Sequence, residues 1–165
     1  MLRLVFAVIT VACLLITTSD SQVIASTKPV SLTLKQVKEI ECIAHAVYHE
    51  ARGEPYEGQL AVAYVVVNRK LDKEFSSNAC QVVYQKAQFT DILLTKPNTK
   101  STSWRRAIEI ATEAYFQLED DPTNGSRFFY APDKINTPRW AYNQVGAVRI
   151  GAHRFFDIGA TDDKG

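Results

Sequence analysis

The 165-residue chain has little net charge and no apolar run of membrane-spanning length. Its 19 lysines and arginines nearly balance its 18 aspartates and glutamates, which leaves a formal charge of +1. Charge therefore gives no reason to expect binding to nucleic acid or to a membrane surface. The longest apolar run, at residues 4–16, is shorter than the roughly 20 residues that a transmembrane helix needs. We expect no nucleic-acid partner and no stable membrane insertion.

The short apolar run instead belongs to a pattern that is typical of secretion. Arg3 supplies a positive charge before it, and residues 23–25 (Val-Ile-Ala) form a small-residue cleavage site after it. This arrangement predicts a signal peptide over residues 1–25 and export to the periplasm, the cell envelope or the medium. An uncleaved signal anchor and a lipoprotein modified at Cys13 are the alternatives.

Cysteine is scarce, with three in the whole chain, and only Cys42 and Cys80 follow the predicted signal peptide. In an exported protein an even pair of cysteines favours a disulfide. Two buried free thiols are the alternative, because Cys42 lies on a segment with apolar periodicity.

The sequence beyond residue 25 contains no internal repeat and no sign of a second domain. Residues 26–33 are rich in Ser, Thr, Lys and Pro and predict a flexible lead-in. Residues 34–158 predict one folded domain, long enough to bury a core, and residues 159–165 a polar tail.

Helical periodicity dominates the first part of this domain, and it predicts helices over residues 34–52, 56–71, 78–84 and 104–118. Thr33 is the predicted N-cap of the first helix, and the break at residues 53–55 (Gly-Glu-Pro) ends it. Residues 85–100 look irregular and are a candidate cleft-lining loop.

The sequence pattern changes from helical to strand-like after a predicted turn at residues 120–125. Residues 127–130 are aromatic and strand-like, and residues 145–156 alternate loosely, as a bent hairpin does. The fold class that we predict is α+β, mostly helical with a small β element near the C-terminus.

Glu50 is the strongest candidate for a catalytic group, because it ends the first apolar-periodic segment. Desolvation between helix faces raises the pKa of a glutamate and keeps it protonated near neutral pH. A protonated carboxyl group is what a general acid needs to cleave a glycosidic bond. The alternative is a helix-end salt bridge from Glu50 to Arg52 or Arg69.

Glu54, four residues after Glu50, is a possible second carboxylate. The two would share a face if the helix continued, and hydrolysis with a bound water would then be possible. The break at Gly53 favours another role, in which Glu54 caps or orients the next helix by accepting backbone N–H bonds near Glu57.

A zinc enzyme is the rival class, since His45 and His49 have i, i+4 spacing and His153 would make a third ligand. The order His-x-x-x-His-Glu is not His-Glu-x-x-His, however, in which the general base stands between the ligands. We therefore expect no metal and no cofactor.

Residues 48–69 resemble the signature of the SleB-type cell-wall hydrolases, the family that includes spore-cortex-lytic enzymes. The resemblance extends from about residue 42 to 156, with the later elements in the family's order. The matching residues are Glu50, Ala51, Arg52, Gly53, Glu54, Gly58, Gln59, Ala61, Val62, Ala63, Asn68 and Arg69, then residues 80–85, Gln88, Phe89, Phe129, Tyr130, Trp140, Gly151, Ala152, His153 and Phe155.

This resemblance implies a lysozyme-like, lytic-transglycosylase-like fold and cleavage of the β-1,4 bond between MurNAc and GlcNAc in peptidoglycan glycan strands. It implies Glu50 as a single acid and base, since the 6-hydroxyl of the muramic acid is itself the nucleophile. The alternatives are a muramidase-type hydrolase of the same bond and a non-catalytic glycan-binding protein. A lone domain behind a signal peptide favours a general envelope or phage-associated enzyme, which we expect to be a monomer.

A second set of residues has side chains that suit sugar recognition, either by hydrogen bonding or by packing on a sugar face. Ordinary packing is the alternative for each, and His153 is as well explained as a core histidine. Trp140 is a candidate sugar platform, whereas a core position is expected for Trp104. The predicted substrate contacts are Gln88, Phe89, Tyr130, Asn143 and His153.

Overall fold

The computed structural model describes residues 31–85 and 95–158. The predicted signal peptide, most of the lead-in, the polar tail, Gln88 and Phe89 lie outside the described residues. Within them the chain forms helices first and a small sheet last, so the predicted α+β class is confirmed. The elements are α1 (Leu34–Ala51), α2 (Tyr56–Leu71), α3 (Ala79–Val83), α4 (Thr102–Phe116), β1 (Phe128–Tyr130), β2 (Gln144–Ile150) and β3 (His153–Ile158).

Helix α1 begins with a complete capping box. The Thr33 hydroxyl accepts a hydrogen bond from the Gln36 N–H at 3.2 Å, and the Gln36 side chain accepts one from the Thr33 N–H at 2.9 Å. The predicted N-cap is therefore confirmed. The helix ends at Ala51, one residue before its predicted end.

Helix α2 is the centre of the core. Its residues from Leu60 to Val67 are all buried, and it contacts α1, α3, α4 and β2. A helix that is apolar nearly all round is stable only when other elements surround it. The fold satisfies this condition by packing three helices and the sheet around α2.

A disulfide joins Cys42 of α1 to Cys80 of α3, with 5.1 Å between the two Cα atoms. The disulfide prediction is confirmed, and the alternative of two free thiols is wrong. The bond fixes α3 against α1, immediately before the segment that contains Gln88 and Phe89.

The sheet is antiparallel, with strand order β1-β3-β2. Successive residues of β3 point to opposite sides, and Phe155 and Phe156 are both fully buried. We define the core face of the sheet by Phe129, His153 and Phe155, and its outer face by Phe128, Tyr130, Arg154 and Phe156. Each face therefore has its own apolar cluster, and the cluster of the core face is continuous with that of the helices.

No helix within residues 31–85 and 95–158 combines the length and the apolar character that crossing a membrane requires.

Candidate active site

Glu50 lies in the last turn of α1, next to Ala51, which is 1% exposed. It continues the buried row of Ile43 and Val47 by one more turn, and it is itself partly buried. The sequence therefore places a carboxyl group where the apolar face of the helix reaches the surface.

Aromatic rings cover the side of α1 beside this turn. Trp104, at the start of α4, meets the ring of His45 edge-on at 5.1 Å and that of Tyr48 at 5.9 Å. His49 lies 5.3 Å from Tyr48, and Tyr84 lies 6.2 Å from His45. We call this group the aromatic ridge; Trp104 is partly buried within it, which agrees with its expected core position.

Two described residues that flank residues 86–94 in the sequence lie at the aromatic ridge. Tyr84 belongs to the ridge, and the Thr95 hydroxyl lies 3.4 Å from Nδ1 of His49. Gln88 and Phe89 lie between these two residues in the sequence, outside the described part of the chain. Their roles as substrate contacts stay predictions.

The environment of His45 favours its neutral form. Burial, together with the nearby His49, lowers the pKa of His45 below its ordinary value, so the ring is neutral at pH 7. Its Nδ1 has no hydrogen-bond partner within the described part of the chain. In those residues no group of three or more His, Cys, Asp or Glu side chains is placed to hold a metal ion.

Glu54 binds the sheet rather than the start of α2. Its Oε2 accepts a hydrogen bond at 2.9 Å from the N–H of Ala152, in the turn between β2 and β3. A Cβ atom on Gly151 would lie 2.1 Å from that oxygen, and Gly151 has a φ of +57°. The interpretation that Glu54 accepts N–H bonds near Glu57 is therefore wrong, because its acceptor oxygen is directed to a residue 98 positions away.

Gln59 supports this arrangement from α2. Its buried amide donates to the backbone carbonyl of Glu54 at 2.9 Å. Gly58 lies beneath the Glu54 side chain, where an added Cβ would be 3.1 Å from the Cβ of Glu54. The motif residues Gly58 and Gln59 thus fix the chain reversal that follows Glu50.

His153 lies on the core face, 5% exposed, with its ring edge-on to Phe129 at 5.3 Å. Burial lowers its pKa, and the nearby Glu54 carboxylate only partly opposes this effect. A neutral buried ring is the core histidine that the sequence left open as an alternative. The geometry gives no support to substrate contact by His153.

Tyr130 lies on the outer face, and its hydroxyl is within a polar network. It lies 3.1 Å from the Thr137 hydroxyl and accepts a 3.5 Å contact from the Gln144 amide, while Gln144 also accepts from Arg154 at 2.6 Å. Hydrogen bonds from Thr137 and Gln144 lower the pKa of the Tyr130 hydroxyl. Asn143 is exposed immediately before β2. The predicted site residues therefore divide between two faces of the sheet.

The two arginines proposed as partners of Glu50 have other contacts. Arg52 donates to the carbonyl of Tyr48 at 3.2 Å and lies 5.2 Å from the centre of its ring. Arg69, near the other end of α2, donates to the carbonyl of Arg127 at 2.7 Å.

Sequence reasoning missed a group of charged residues around Arg127. This side chain forms ion pairs with Asp157 at 2.8 Å, Asp72 at 2.6 Å and Glu74 at 2.9 Å. The hydrogen bonds from Arg127 to Asp157 raise the arginine's pKa above its ordinary value. No local sequence pattern predicts this group, because its acidic members lie 30 to 55 residues from Arg127 in the sequence.

Comparison with known proteins identifies the family of this chain. The sequence model of the family described as Cell Wall Hydrolase matches residues 53–156, more than half of the chain. The spore cortex-lytic enzyme of Halalkalibacterium halodurans is 36% identical over 122 residues, which are 71% of this chain and 34% of that protein. The spore cortex-lytic enzyme of Bacillus subtilis is 33% identical over 121 residues, 71% of this chain and 37% of that protein. The chain thus spans roughly a third of the length of these curated relatives.

Two solved structures share the fold. The catalytic domain of the germination-specific lytic transglycosylase SleB from Bacillus anthracis superposes with a TM-score of 0.60 at 29% identity, covering 79% of this chain and 100% of that domain. The catalytic domain of the Bacillus cereus SleB protein gives a TM-score of 0.62 at 29% identity, covering 78% and 94%.

The fold is therefore that of the SleB catalytic domains. This chain belongs to the cell wall hydrolase family. The resemblance seen in the sequence is confirmed over nearly the whole described domain.

Proposed function

We propose that this domain cleaves the β-1,4 bond between MurNAc and GlcNAc in peptidoglycan by lytic transglycosylation, with Glu50 as acid and base. The observation that carries the proposal is the match to the SleB catalytic domain of Bacillus anthracis, described as a lytic transglycosylase, over 100% of that domain. Gly58, Gln59 and the hydrogen bond between Glu54 and Ala152 fix the chain reversal after Glu50. This reversal supports the proposal because it restrains the backbone next to the carboxyl group.

The chemistry needs one carboxyl group in two protonation states. Protonated Glu50 donates its proton to the glycosidic oxygen as the bond from that oxygen to C1 of the muramic acid breaks. The resulting carboxylate then takes the proton of the 6-hydroxyl as that oxygen bonds to C1, which closes a 1,6-anhydro ring. No water is consumed, and Glu50 ends in the state in which it began.

Glu54 does not serve as the second carboxylate of a hydrolase in this proposal. A retaining or inverting hydrolase needs its second carboxyl group directed at the sugar or at a water. Glu54 instead holds the Ala152 N–H at 2.9 Å, and the missing Cβ of Gly151 makes room for it. This contact favours transglycosylation over muramidase-type hydrolysis.

The remaining substrate contacts and the cellular setting complete the proposal. Gln88 and Phe89 bind the glycan near Glu50, and Tyr130 and Asn143 bind it from the sheet. The chain is exported through residues 1–25 and acts as a monomer without a cofactor. The disulfide between Cys42 and Cys80 supports an oxidising compartment.

Mass spectrometry of the muropeptides released from purified peptidoglycan tests the proposal. The parent enzyme is expected to release fragments lighter by one water than those of a muramidase, and Glu50→Gln to release none. Glu57→Gln, which changes an exposed glutamate in the first turn of α2, is the matched control and should keep the parent product pattern. Fragments with a reducing-end muramic acid would instead establish hydrolysis, and binding without any Glu50-dependent product would favour a glycan-binding protein.

A further inference from the structure

The outer face of the sheet carries an aromatic side chain that the catalytic proposal does not use. Trp140 lies in a short 3-10 turn, Arg139–Ala141, and is 51% exposed. Its ring stacks on Phe156 at 5.8 Å with an interplanar angle of 23°, and Phe128 lies 6.2 Å from it. One side of the indole is therefore supported by a fully buried phenylalanine, and half of its surface is open.

These contacts restrict the orientation of the indole before a ligand binds. Ala141, the next residue, is fully buried and anchors the 3-10 turn in the outer apolar cluster. A large aromatic that is fixed in one orientation loses little conformational entropy when it binds. Tyr142, the C-cap residue of the same turn, is 68% exposed and adds a second exposed ring there.

The charges around this surface are mostly positive. Arg139 and Arg154 are exposed, and Arg154 shares the outer face with Phe156. Arg149, which pairs with Arg154 across the strands, has an ion pair to Asp133 at 2.5 Å. The surface thus combines a flat apolar platform with a surplus of cationic groups.

We infer that the outer face is a second peptidoglycan-binding surface, in which Trp140 packs on the apolar face of a sugar ring. The C–H groups on one side of a pyranose suit the negative face of an indole. The arginines suit the free carboxylates of the stem peptides that branch from the glycan. This inference rests on the proposed substrate.

Trp140 and the side chain of Glu54 lie on opposite sides of β3. His153, whose neighbour is Glu54, points to the core face, whereas Phe156 and the Trp140 stacked on it are on the outer face. A contact with Trp140, on the face that also carries Tyr130, therefore holds the polymer away from Glu54 and keeps the enzyme on the wall between cleavage events.

Sedimentation with purified insoluble peptidoglycan tests this inference in a Glu50→Gln background, in which bound polymer stays intact. Trp140→Ala is expected to weaken the apparent affinity by about fivefold. Trp140→Phe, which keeps a ring over Phe156, should bind more tightly than Trp140→Ala. Leu118→Ala, which removes another exposed apolar side chain at 66% exposure, should bind as the background protein does.

Because Trp140 packs on Phe156, thermal unfolding of each variant is recorded beside the binding curve. Tyr142→Ala removes an exposed ring of the same surface and should weaken binding even if Trp140→Ala is destabilised. Removal of the stem peptides with an amidase should reduce the affinity of the Glu50→Gln protein and leave the effect of Trp140→Ala unchanged.

Equal binding by the Glu50→Gln background, Trp140→Ala and Tyr142→Ala would overturn the inference. Failure of the proposed function looks different, because the parent enzyme would then release no fragments while Trp140→Ala still weakened sedimentation.

Discussion

The two ends of the segment from residue 48 to 69 use their polar residues in opposite ways. At its C-terminal end, Asn68 and Arg69 make contacts that stabilise the fold. Asn68 donates to Asp121 at 2.9 Å and to the carbonyl of Ser126 at 3.1 Å. Arg69 is 4% exposed and lies between the rings of Phe75, at 5.3 Å, and Phe128, at 5.4 Å.

At its N-terminal end, Glu50 lies partly buried at the point where α1 meets the surface, beside the aromatic ridge. Gln59 and Glu54 hold the backbone there. The Gln59 amide donates to the Glu54 carbonyl, and the Glu54 carboxylate accepts from the Ala152 N–H. One sequence signature therefore contains both a proposed catalytic group and the scaffold that binds the sheet to α2. Conservative changes at the two ends should separate these roles.

The largest expected effect is on turnover at the Glu50 end. Glu50→Gln should lower the rate of fragment release by at least about a hundredfold, since general acid–base catalysis contributes about 10²–10⁴. The free energy of unfolding should change by less than about 0.5 kcal/mol, because the side chain is only partly buried. Denaturant titration of the same preparation checks the second point, and loss of both activity and stability would mean a structural role.

Removal of the disulfide should give the largest change in stability. The bond closes a loop with a sequence separation of 38, which stabilises the fold by about 3–4 kcal/mol in the chain-entropy model. The double variant Cys42→Ala, Cys80→Ala should lower the free energy of unfolding by that amount. If dithiothreitol lowers the stability of the double variant as much as that of the parent protein, the effect does not come from this bond.

Arg69→Met tests the structural end of the signature. The variant keeps the length of the side chain but leaves the carbonyl of Arg127 without its donor, at a cost of about 2–3 kcal/mol in unfolding free energy. Burial, with the nearby Arg127, lowers the pKa of Arg69 to about 10, so this charge is already costly to bury. Urea titration measures the change. Arg105→Met, which alters an exposed arginine on α4, should have little effect.

Glu54→Ala should have a smaller effect than Arg69→Met. It removes the acceptor of the Ala152 N–H and should lower the free energy of unfolding by about 1–2 kcal/mol. Glu54→Gln keeps an acceptor oxygen and should recover most of the loss. Amide hydrogen exchange at Ala152 reports the bond directly. Exchange that is equally slow in the parent and in Glu54→Ala would contradict a stabilising role for the hydrogen bond between Glu54 and the Ala152 N–H.

The smallest effect concerns pH and the buried His153. Its pKa is lowered by burial, so the unfolded chain takes up a proton more readily than the folded chain does. Its contribution to stability is complete above the ordinary histidine pKa of 6.5 and is lost as the pH falls below it. His153→Leu should lose less stability than the parent protein between neutral and mildly acidic pH. Parallel denaturant titrations check this, and identical losses would contradict it.

Local features of the fold could be predicted from the sequence because their causes are local. The predicted limits of α1 and α2 agree with the structure to within one residue, and the Thr33 cap is confirmed. For α4 the pattern predicts residues 104–118, whereas the helix runs from Thr102 to Phe116, capped by the Ser101 hydroxyl. Apolar periodicity and capping chemistry act over a few residues, so a single sequence contains them.

Contacts between distant elements could not be predicted in the same way. The tether from Glu54 to Ala152 depends on where the β2–β3 turn lies, and no spacing in the sequence encodes that position. The same holds for the ion pairs of Arg127. The assignment of Tyr130 and His153 to opposite faces follows from strand register, which the loose alternation of residues 145–156 left open.

Digestion of peptidoglycan in water labelled with heavy oxygen tests the central claim most directly. In transglycosylation by Glu50 the oxygen that joins C1 comes from the sugar's own 6-hydroxyl, so the released muropeptides should contain anhydro ends and no label. A labelled oxygen at the new muramic acid end would show that water is the nucleophile, and would contradict the single-glutamate mechanism proposed for this domain.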